Sequence, residues 1–172
     1  DFGAASLAID DGLCAAQLAL VADPPSPLVG APLDGFPWFE TTEVFVAEDD
    51  DVSLFVDPTR YFDRVGAPFD AHVVRAQDPA AWLADPTIVP VASVVGAVNA
   101  DAAASVLLWS DPDPGALTDQ WSVVVDFDRD GLVGPGDLVD GWDEPGFTVV
   151  GDLAAPGPYT PLRAEQSYDF WH

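Results

Sequence analysis

Short apolar runs alternate with polar turns along most of the chain, and this pattern predicts a protein built from short β-strands. Residues 44–47 and 52–56 are rich in Val and Phe, and the acidic residues 48–51 stand between them. We therefore predict a β-hairpin in which these two runs pair. Further strands are predicted at residues 71–77, 87–98, 104–109, 120–126, 147–150 and 163–171. Pro90 places the strand at 87–98 near a sheet edge, because proline cannot donate to a strand on both sides.

Helical segments are predicted to be few and short. The dipeptides Asp57-Pro58 and Asp78-Pro79 place a capping carboxylate before a proline, which suits the first turn of a helix. Residues 58–65 and 79–85 are therefore predicted as short helices or turns. With roughly seven to nine strands at intervals of roughly 8 to 15 residues, the whole pattern is typical of an all-β, Ig-like β-sandwich.

The first 27 residues are predicted to form a separate arm. Residues 1–22 are rich in Ala and Leu, and the proline-rich sequence DPPSP at 23–27 divides them from the rest of the chain. Their apolar positions fit one stripe of a helix and also fit short extended runs, so both conformations stay open. An extended arm of this kind packs on its own domain or completes the sheet of a neighbouring subunit. The predicted domains are the arm and hinge, residues 1–27, and a β-sandwich, residues 28–172.

The balance of charge is strongly acidic. Five Lys plus Arg residues stand against 30 Asp plus Glu, so the formal net charge is −25. Such a surface repels itself and needs compensation by bound cations or by high salt, and a halophilic protein would share this composition. Because the sequence has no basic patch, it excludes nucleic acid and anionic lipid as electrostatic partners. No apolar run is long enough for a transmembrane helix, so membrane insertion is not expected.

The acidic residues are concentrated at one point in a regular pattern. Residues 126–137 read DFDRDGLVGPGD, with Asp126, Asp128 and Asp130 at alternate positions. Alternate residues of a tightly curled loop point inward, so these three side chains can offer hard oxygen atoms to one cation. The spacing is that of a calcium loop, and Ca²⁺ is the predicted cofactor. An acidic, solvated turn without metal is the alternative.

The rest of the loop supplies the other features of a calcium site. Gly131, at the sixth position, allows the positive-φ turn that brings the backbone carbonyl of Leu132 toward the cation. Asp137, at the twelfth position, is predicted to close the ligand shell in place of the usual Glu. The predicted metal ligands are therefore Asp126, Asp128, Asp130, Leu132 and Asp137.

The flanks of the loop point to strands rather than to the helices of an EF-hand. The sequence QWSVVVD at 120–126 precedes the loop, and Gly and Pro residues in DLVDGWDEPGF leave room for one helical turn at most before the strand at 147–150. Over residues 121–150 the chain resembles dockerin calcium loops and, more closely, Ig-like and pilin-like modules of secreted bacterial surface proteins. In those modules a VVVDxDxDG strand enters an acidic loop and the chain returns as GFTV.

Two other acidic segments are candidates for cation sites. Residues 48–51 form either a solvated turn or part of a second cation site, and residues 110–119 place three Asp around Gly115 with spacing unlike that of a calcium loop. Arg60, Arg64 and Arg75 are expected to pair with nearby carboxylates.

No combination of residues predicts an enzyme. Nucleophilic catalysis needs a base beside the nucleophile, and neither His72 nor His172 has a convincing Ser or Cys partner. Two His residues and the single Cys14 speak against a zinc site. Cys14 alone also cannot form an internal disulfide, so stability has to come from the core and the metal.

The resulting prediction is an extracellular, calcium-stabilised structural subunit. Calcium outside cells is abundant enough for a site of modest affinity, so the cell exterior or cell surface is the predicted location. The resemblance implies that subunits assemble with one another into a fibre or surface layer through exchange of the arm at 1–27. The alternative is a carbohydrate-binding or adhesion module, which would need Trp82, Trp109 and Trp142 side by side on the surface.

Overall fold

The computed structural model describes Pro24 and residues 28–32, 39–47, 50–100, 105–112 and 118–151. The predictions for the arm, for the strand at 163–171 and for residues 113–117 lie outside this part of the chain. Ten short strands form within it: β1 (Val29–Pro32), β2 (Phe39–Thr41), β3 (Val44–Val46), β4 (Val52–Leu54), β5 (Pro68–Arg75), β6 (Ala92–Ala97), β7 (Val106–Trp109), β8 (Thr118–Asp126), β9 (Leu138–Asp140) and β10 (Phe147–Val150).

The strands form two sheets, which confirms the prediction of an all-β, sandwich-like fold. The first sheet has the strand order β2-β1-β4-β7, and the second has the order β3-β10-β8-β5-β6, with β9 also paired to β8. The pairing of β3 with β10 is parallel, and the neighbouring pair of β10 with β8 is antiparallel. The Ig-like arrangement of strands stays a prediction.

The main core lies between the sheets because alternate residues of the central strands point to the same side. On β8 these are Trp121, Val123 and Val125, and all three are buried. The strand beside it, β5, contributes Phe69, whose ring lies where a side chain at Gly96 would stand. Glycine at that position of β6 therefore makes room for an aromatic core residue.

A second, smaller core lies on the other face of the second sheet. Helix α1 (Pro79–Ala84) begins at Asp78, whose carboxylate accepts a hydrogen bond from the Ala81 N–H at 2.8 Å. This cap and the proline after it are the predicted helix start, and residues 62–64 form the other predicted helical turn. The helix places Trp82 against outward-facing valines of the sheet. The members of this second core are Val74, Trp82, Ile88, Val124, Val133 and Val139, with Trp142 packed against them.

The predicted hairpin of residues 44–47 and 52–56 is wrong, although both strands exist. β3 joins the second sheet beside β10, whereas β4 joins the first sheet between β1 and β7. The acidic residues between them therefore connect two sheets instead of closing a hairpin. Burial explains the difference, since Phe45, Val52 and Leu54 all contribute to the core between the sheets.

Two strand boundaries also differ from the prediction. The strand expected over 87–98 begins only at Ala92, and Thr87 forms an isolated bridge with Leu132. Pro90 interrupts the run, and β6 is an edge strand as expected. The prediction placed the first strand after the acidic loop at Phe147. A short strand, β9, already begins at Leu138.

Candidate metal centre

The acidic loop 126–137 is closed at its base by a pair of strands. β8 ends at Asp126, β9 begins at Leu138, and the last residue pair before the loop is Val125 with Leu138. The apolar side chains of this pair lie in the main core, so the two ends of the loop are fixed by burial. The sequence thus produces a strand, an acidic loop and a strand, as the flanking residues predicted.

Asp126 curls the first half of the loop. Its Oδ1 accepts a hydrogen bond from the Arg129 N–H at 2.6 Å, and its Oδ2 accepts one from the Gly131 N–H at 2.9 Å. Both donors belong to residues in the left-handed region, with φ values of 63° and 78°. Glycine adopts this conformation without a steric cost, so the sixth position of the loop is suited to the turn.

The turn brings three predicted ligands together. Asp126, Asp128 and Asp130 each offer one carboxylate oxygen, and these oxygens lie within 4.8 Å of one another. Asp126 is buried, with 1% of its surface exposed, whereas Asp128 and Asp130 are exposed. Among the described residues, this is the one group of three or more acidic, His or Cys side chains whose ligand atoms lie close enough together to hold a metal ion.

Leu132 is held in place on both sides of its backbone. Two backbone hydrogen bonds, 3.0 and 2.8 Å long, hold residues 131–133 against residues 86–88 around the bridge between Thr87 and Leu132. Backbone groups alternate in direction along an extended chain, so the N–H and C=O of Leu132 face away from 86–88. The N–H of Leu132 donates to Asp130 Oδ1 at 2.8 Å, and the role of its carbonyl as a metal ligand stays a prediction.

Asp137 joins the two ends of the loop. Its Oδ1 accepts from the Phe127 N–H at 2.9 Å, and its Oδ2 accepts from the Gly134 N–H at 2.8 Å. Like Asp126 it is buried, with 1% of its surface exposed. Asp137 is thus a hydrogen-bond acceptor that fixes the backbone of the loop. It is not part of the group of Asp126, Asp128 and Asp130, and its role as the twelfth ligand stays a prediction.

Two carboxyl groups of the loop, those of Asp128 and Asp137, have a raised pKa. Burial raises the pKa of Asp137 to about 6, although two backbone hydrogen bonds act in the opposite direction. The pKa of Asp128 is also raised, by desolvation, by a hydrogen bond with Asp126 and by the charges of Asp130 and Asp126. A bound cation would favour the ionised forms of these groups, so protons and cations compete for the loop.

Residues distant in sequence support the loop, and sequence analysis did not find them. Asp70 of β5 lies opposite Asp126 of β8, and its Oδ1 accepts from Arg129 Nε at 2.8 Å. The guanidinium of Arg64 lies 4.4 Å from the centre of the Phe127 ring. The sequence points to these two contacts only through its composition: a chain with so few arginines and so many acidic residues is expected to pair its arginines.

The other acidic segments have protein partners within the described residues. Asp50 Oδ2 accepts from the Val46 N–H at 2.7 Å, and Asp51 Oδ1 accepts from the Asp111 N–H at 3.3 Å. Asp119 forms an ion pair with Arg75 at 2.6 Å. Asp50 and Asp51 therefore have backbone partners, and the interpretation of the whole segment 48–51 stays open because residues 48 and 49 lie outside the described part of the chain. The ion pair of Asp119 confirms the pairing predicted for Arg75.

His72 lies on the outward face of β5 with a polar neighbour. Its Nδ1 is 2.8 Å from Ser93 Oγ, and burial lowers its pKa while the charges of Asp126 and Asp70 oppose the shift. The pair lies on the face of a sheet beside the acidic loop.

The described residues contain no helix that is both long enough and apolar enough to span a bilayer. Comparisons with protein-family models, with curated proteins and with solved structures give no match for this chain. The functional argument therefore depends on the geometry of the loop itself.

The raised pKa of Asp137 predicts how metal-free protein responds to pH. In the unfolded chain this carboxyl titrates near 3.8, whereas in the folded chain it titrates at about 6. The folded state therefore binds the proton more tightly, and stability contributed by this proton is lost as the pH rises from 4 through 6. We expect the Tm of chelated protein to rise when the pH is lowered from neutral toward 4. Calcium-loaded protein should not show this rise, because a bound cation favours the ionised form of Asp137.

The variant Asp137→Asn separates this local effect from general relief of charge repulsion. Acidification reduces the net negative charge of both proteins, which is −25 in the wild type at pH 7 and one unit smaller in the variant, but only the wild type has the contribution of Asp137. Thermal unfolding of both proteins over a pH series measures the difference. The interpretation is wrong if chelated wild type and variant show the same dependence of Tm on pH.

Proposed function

We propose that this protein is an extracellular structural subunit whose β-sandwich is stabilised by a calcium ion in the loop 126–137. The observation that supports the proposal most is the convergence of the carboxylates of Asp126, Asp128 and Asp130 within 4.8 Å at the end of β8. Three neighbouring negative charges repel one another, and a divalent cation is the simplest species that compensates them.

The chemistry of the donors favours calcium over other metals. Each candidate ligand is an oxygen atom, from a carboxylate or from the backbone carbonyl of Leu132, and no His or Cys belongs to the group. Zinc, copper and nickel prefer imidazole or thiolate ligands, and Mg²⁺ demands near-ideal octahedral geometry. A curled loop with five predicted ligands and room for water fits the flexible coordination of Ca²⁺ better.

Calcium would stabilise the fold by fixing the conformation of the loop. The loop contacts residues 86–88 through two backbone hydrogen bonds, and Val133 packs in the second core with Trp82. A cation that fixes the loop therefore also fixes the segment that follows helix α1. Because metal binding occurs only in the folded state, its free energy adds to the stability of the sandwich.

Assembly of subunits through the arm at 1–27 is the finer part of the proposal. It derives from the apolar composition of 1–22 and from the proline-rich hinge after it, and these residues lie outside the described part of the chain. Electron microscopy of purified protein, with calcium and with chelator, tests the proposal. We expect ordered assemblies with calcium, fewer with chelator, and none after deletion of residues 1–22.

Electron microscopy together with the Tm measured with and without calcium separates the two parts of the proposal. Assemblies that persist after the deletion would contradict the role of the arm and leave the calcium site untouched. Tm values that do not respond to calcium would contradict the metal site itself.

The three tryptophans on which the carbohydrate-binding alternative depends, all in the described part of the chain, do not lie side by side on the surface. Trp82 is buried in the second core, with 1% of its surface exposed. Trp109 packs edge-to-face with Trp121 at a ring distance of 5.1 Å, and Trp142 packs against the second core. These three tryptophans therefore do not form a flat platform for a sugar ring.

A further inference from the structure

Two of the five basic residues of this chain lie against the acidic loop. The guanidinium of Arg64 covers the Phe127 ring, and the Nε of Arg129 donates to Asp70 Oδ1 at 2.8 Å. Like charges repel, so a guanidinium beside a cation site opposes binding of the cation through its charge. The partner of Arg129 in its ion pair is Asp70 of β5, outside the group of three loop carboxylates. The position of Arg129 therefore needs a reason other than its charge.

Arg129 has a backbone conformation that residues other than glycine seldom adopt. Its φ of 63° lies in the left-handed region, where the Cβ atom crowds the following carbonyl group. Such a conformation persists only where neighbouring contacts fix it. Here the backbone N–H donates to Asp126 Oδ1 at 2.6 Å, and the side chain is held by Asp70. The fourth residue of the loop is thus restrained at its backbone and at its side chain.

Asp70 provides a fixed point outside the loop. It belongs to β5, which pairs with β8 on one side and with β6 on the other, so two strands hold its backbone. Asp70 lies opposite Asp126, and opposite residues of an antiparallel pair share a face of the sheet. Two carboxylates on one face repel each other, and the ion pair with Arg129 compensates the charge of Asp70. Arg129 therefore connects the loop to a central strand and reduces a repulsion at the same point.

We propose that the ion pair of Arg129 with Asp70 positions the acidic loop for a divalent cation. Asp128 and Asp130 are the sequence neighbours of Arg129, so its conformation sets the relative directions in which their side chains leave the backbone. A loop that is arranged before the ion arrives loses less conformational entropy on binding. The inference rests on the proposed calcium site, and it makes Arg129 and Asp70 positioning residues rather than ligands.

The charge of Arg129 and its positioning role predict opposite effects of its removal. Considering charge alone, Arg129→Met should bind calcium more tightly, because a nearby positive charge is lost. Considering positioning, the same variant should bind calcium more weakly, because the ion itself must then order the loop. Solvent reaches the ion pair, with 44% of the Arg129 side chain and 27% of the Asp70 side chain exposed, and screening reduces the effect of the charge. We therefore expect the positioning effect to dominate.

Calorimetric titration of the metal-free full chain with calcium tests the inference. We expect the calcium dissociation constant of Arg129→Met to rise about tenfold, as is typical when a contact that supports a metal site is removed. Arg129→Lys keeps the charge and a donor for Asp70, so its constant should lie between those of the wild type and Arg129→Met. The matched control is Arg60→Met, which loses the same charge. Arg60 pairs with Asp57 outside the loop, at 3.6 Å, so its loss should not weaken calcium binding.

Hydrogen exchange in metal-free protein provides a readout that does not depend on calcium. The Gly131 N–H donates to Asp126 Oδ2 at 2.9 Å, so its protection from exchange reports on the curl of the loop. We expect this protection to fall in Arg129→Met and to stay unchanged in Arg60→Met. Circular dichroism of each variant confirms that its fold is retained.

Either of two results would overturn the positioning role while leaving the calcium site in place. The first is calcium binding by Arg129→Met that is as tight as in the wild type, or tighter. The second is equal protection of the Gly131 N–H in these two proteins. A wild type that binds no calcium would instead contradict the proposed function, and this inference with it. Weaker binding and lower protection in Arg129→Met, both partly restored in Arg129→Lys, support the inference.

Discussion

Replacing Asp126 with Asn is expected to abolish the stabilisation of this protein by calcium. The side chain is buried, belongs to the carboxylate group and accepts two backbone hydrogen bonds that curl the loop. Asn keeps a similar size, but it removes the charge and turns an NH₂ group toward one of the two N–H donors. We expect calcium affinity to fall by more than about a hundredfold, because this residue both binds the ion and shapes its site.

Thermal unfolding with millimolar calcium and with chelator measures the effect. The wild type should lose Tm on chelation, while Asp126→Asn should have the same Tm in both conditions. Asp143→Asn is the matched control, because Asp143 is an exposed carboxylate outside the loop and its loss changes the net charge equally. Equal calcium responses of wild type and Asp126→Asn would contradict the assignment of the loop.

Replacing Trp82 with Ala is expected to produce the largest loss of stability. Trp82 is almost fully buried between helix α1 and the outer face of the second sheet, in the cluster that contains Val133 of the loop. Truncation of a buried Trp removes apolar burial and leaves a cavity, which costs about 3–5 kcal/mol. Calcium affinity should also fall, because Val133 would lose a packing partner. Urea denaturation at saturating calcium measures the first effect, and calorimetric titration measures the second.

Trp82→Phe is the control for this prediction. The indole N–H of Trp82 is buried and has no hydrogen-bond partner among the described residues. Phe removes this unsatisfied donor and keeps most of the apolar volume, so it should cost much less than Ala. If the Ala variant were as stable as the Phe variant, the second core would not support the helix as described.

The parts of the fold that depend on neighbouring residues could be predicted from sequence. The β-branched run at 120–126 forms β8, and the spacing of Asp126, Asp128 and Asp130 brings their oxygens together. The cap at Asp78 begins a helix as its sequence indicates. In each case the physical cause lies within a few residues, in backbone preference, in capping or in the curl of one loop.

The parts that depend on tertiary packing could not be predicted in this way. Residues 44–46 and 52–54 have equal strand propensity whether they pair with each other or enter different sheets. The outcome depends on partners far along the chain, β10 for the first run and β1 with β7 for the second. The support of the loop by Asp70 likewise arises from the register of β5 with β8, which no local pattern contains.

The return strand β9 shows a third limit of sequence patterns. Three residues, Leu138–Asp140, are too few for a recognisable alternation, and Gly141 follows at once. Gly141 has φ 95°, and a Cβ atom there would stand 2.3 Å from the backbone nitrogen of Gly146. The glycine therefore belongs to a tight excursion between β9 and β10, and both of these strands pair with β8.

A crystal structure of the protein grown with millimolar calcium tests the central claim most directly. We predict an anomalous difference peak inside loop 126–137, at about 2.3–2.6 Å from oxygens of Asp126, Asp128 and Asp130 and from the Leu132 carbonyl. A loop without such a peak at saturating calcium, with these three carboxylates directed into solvent, would contradict the claim.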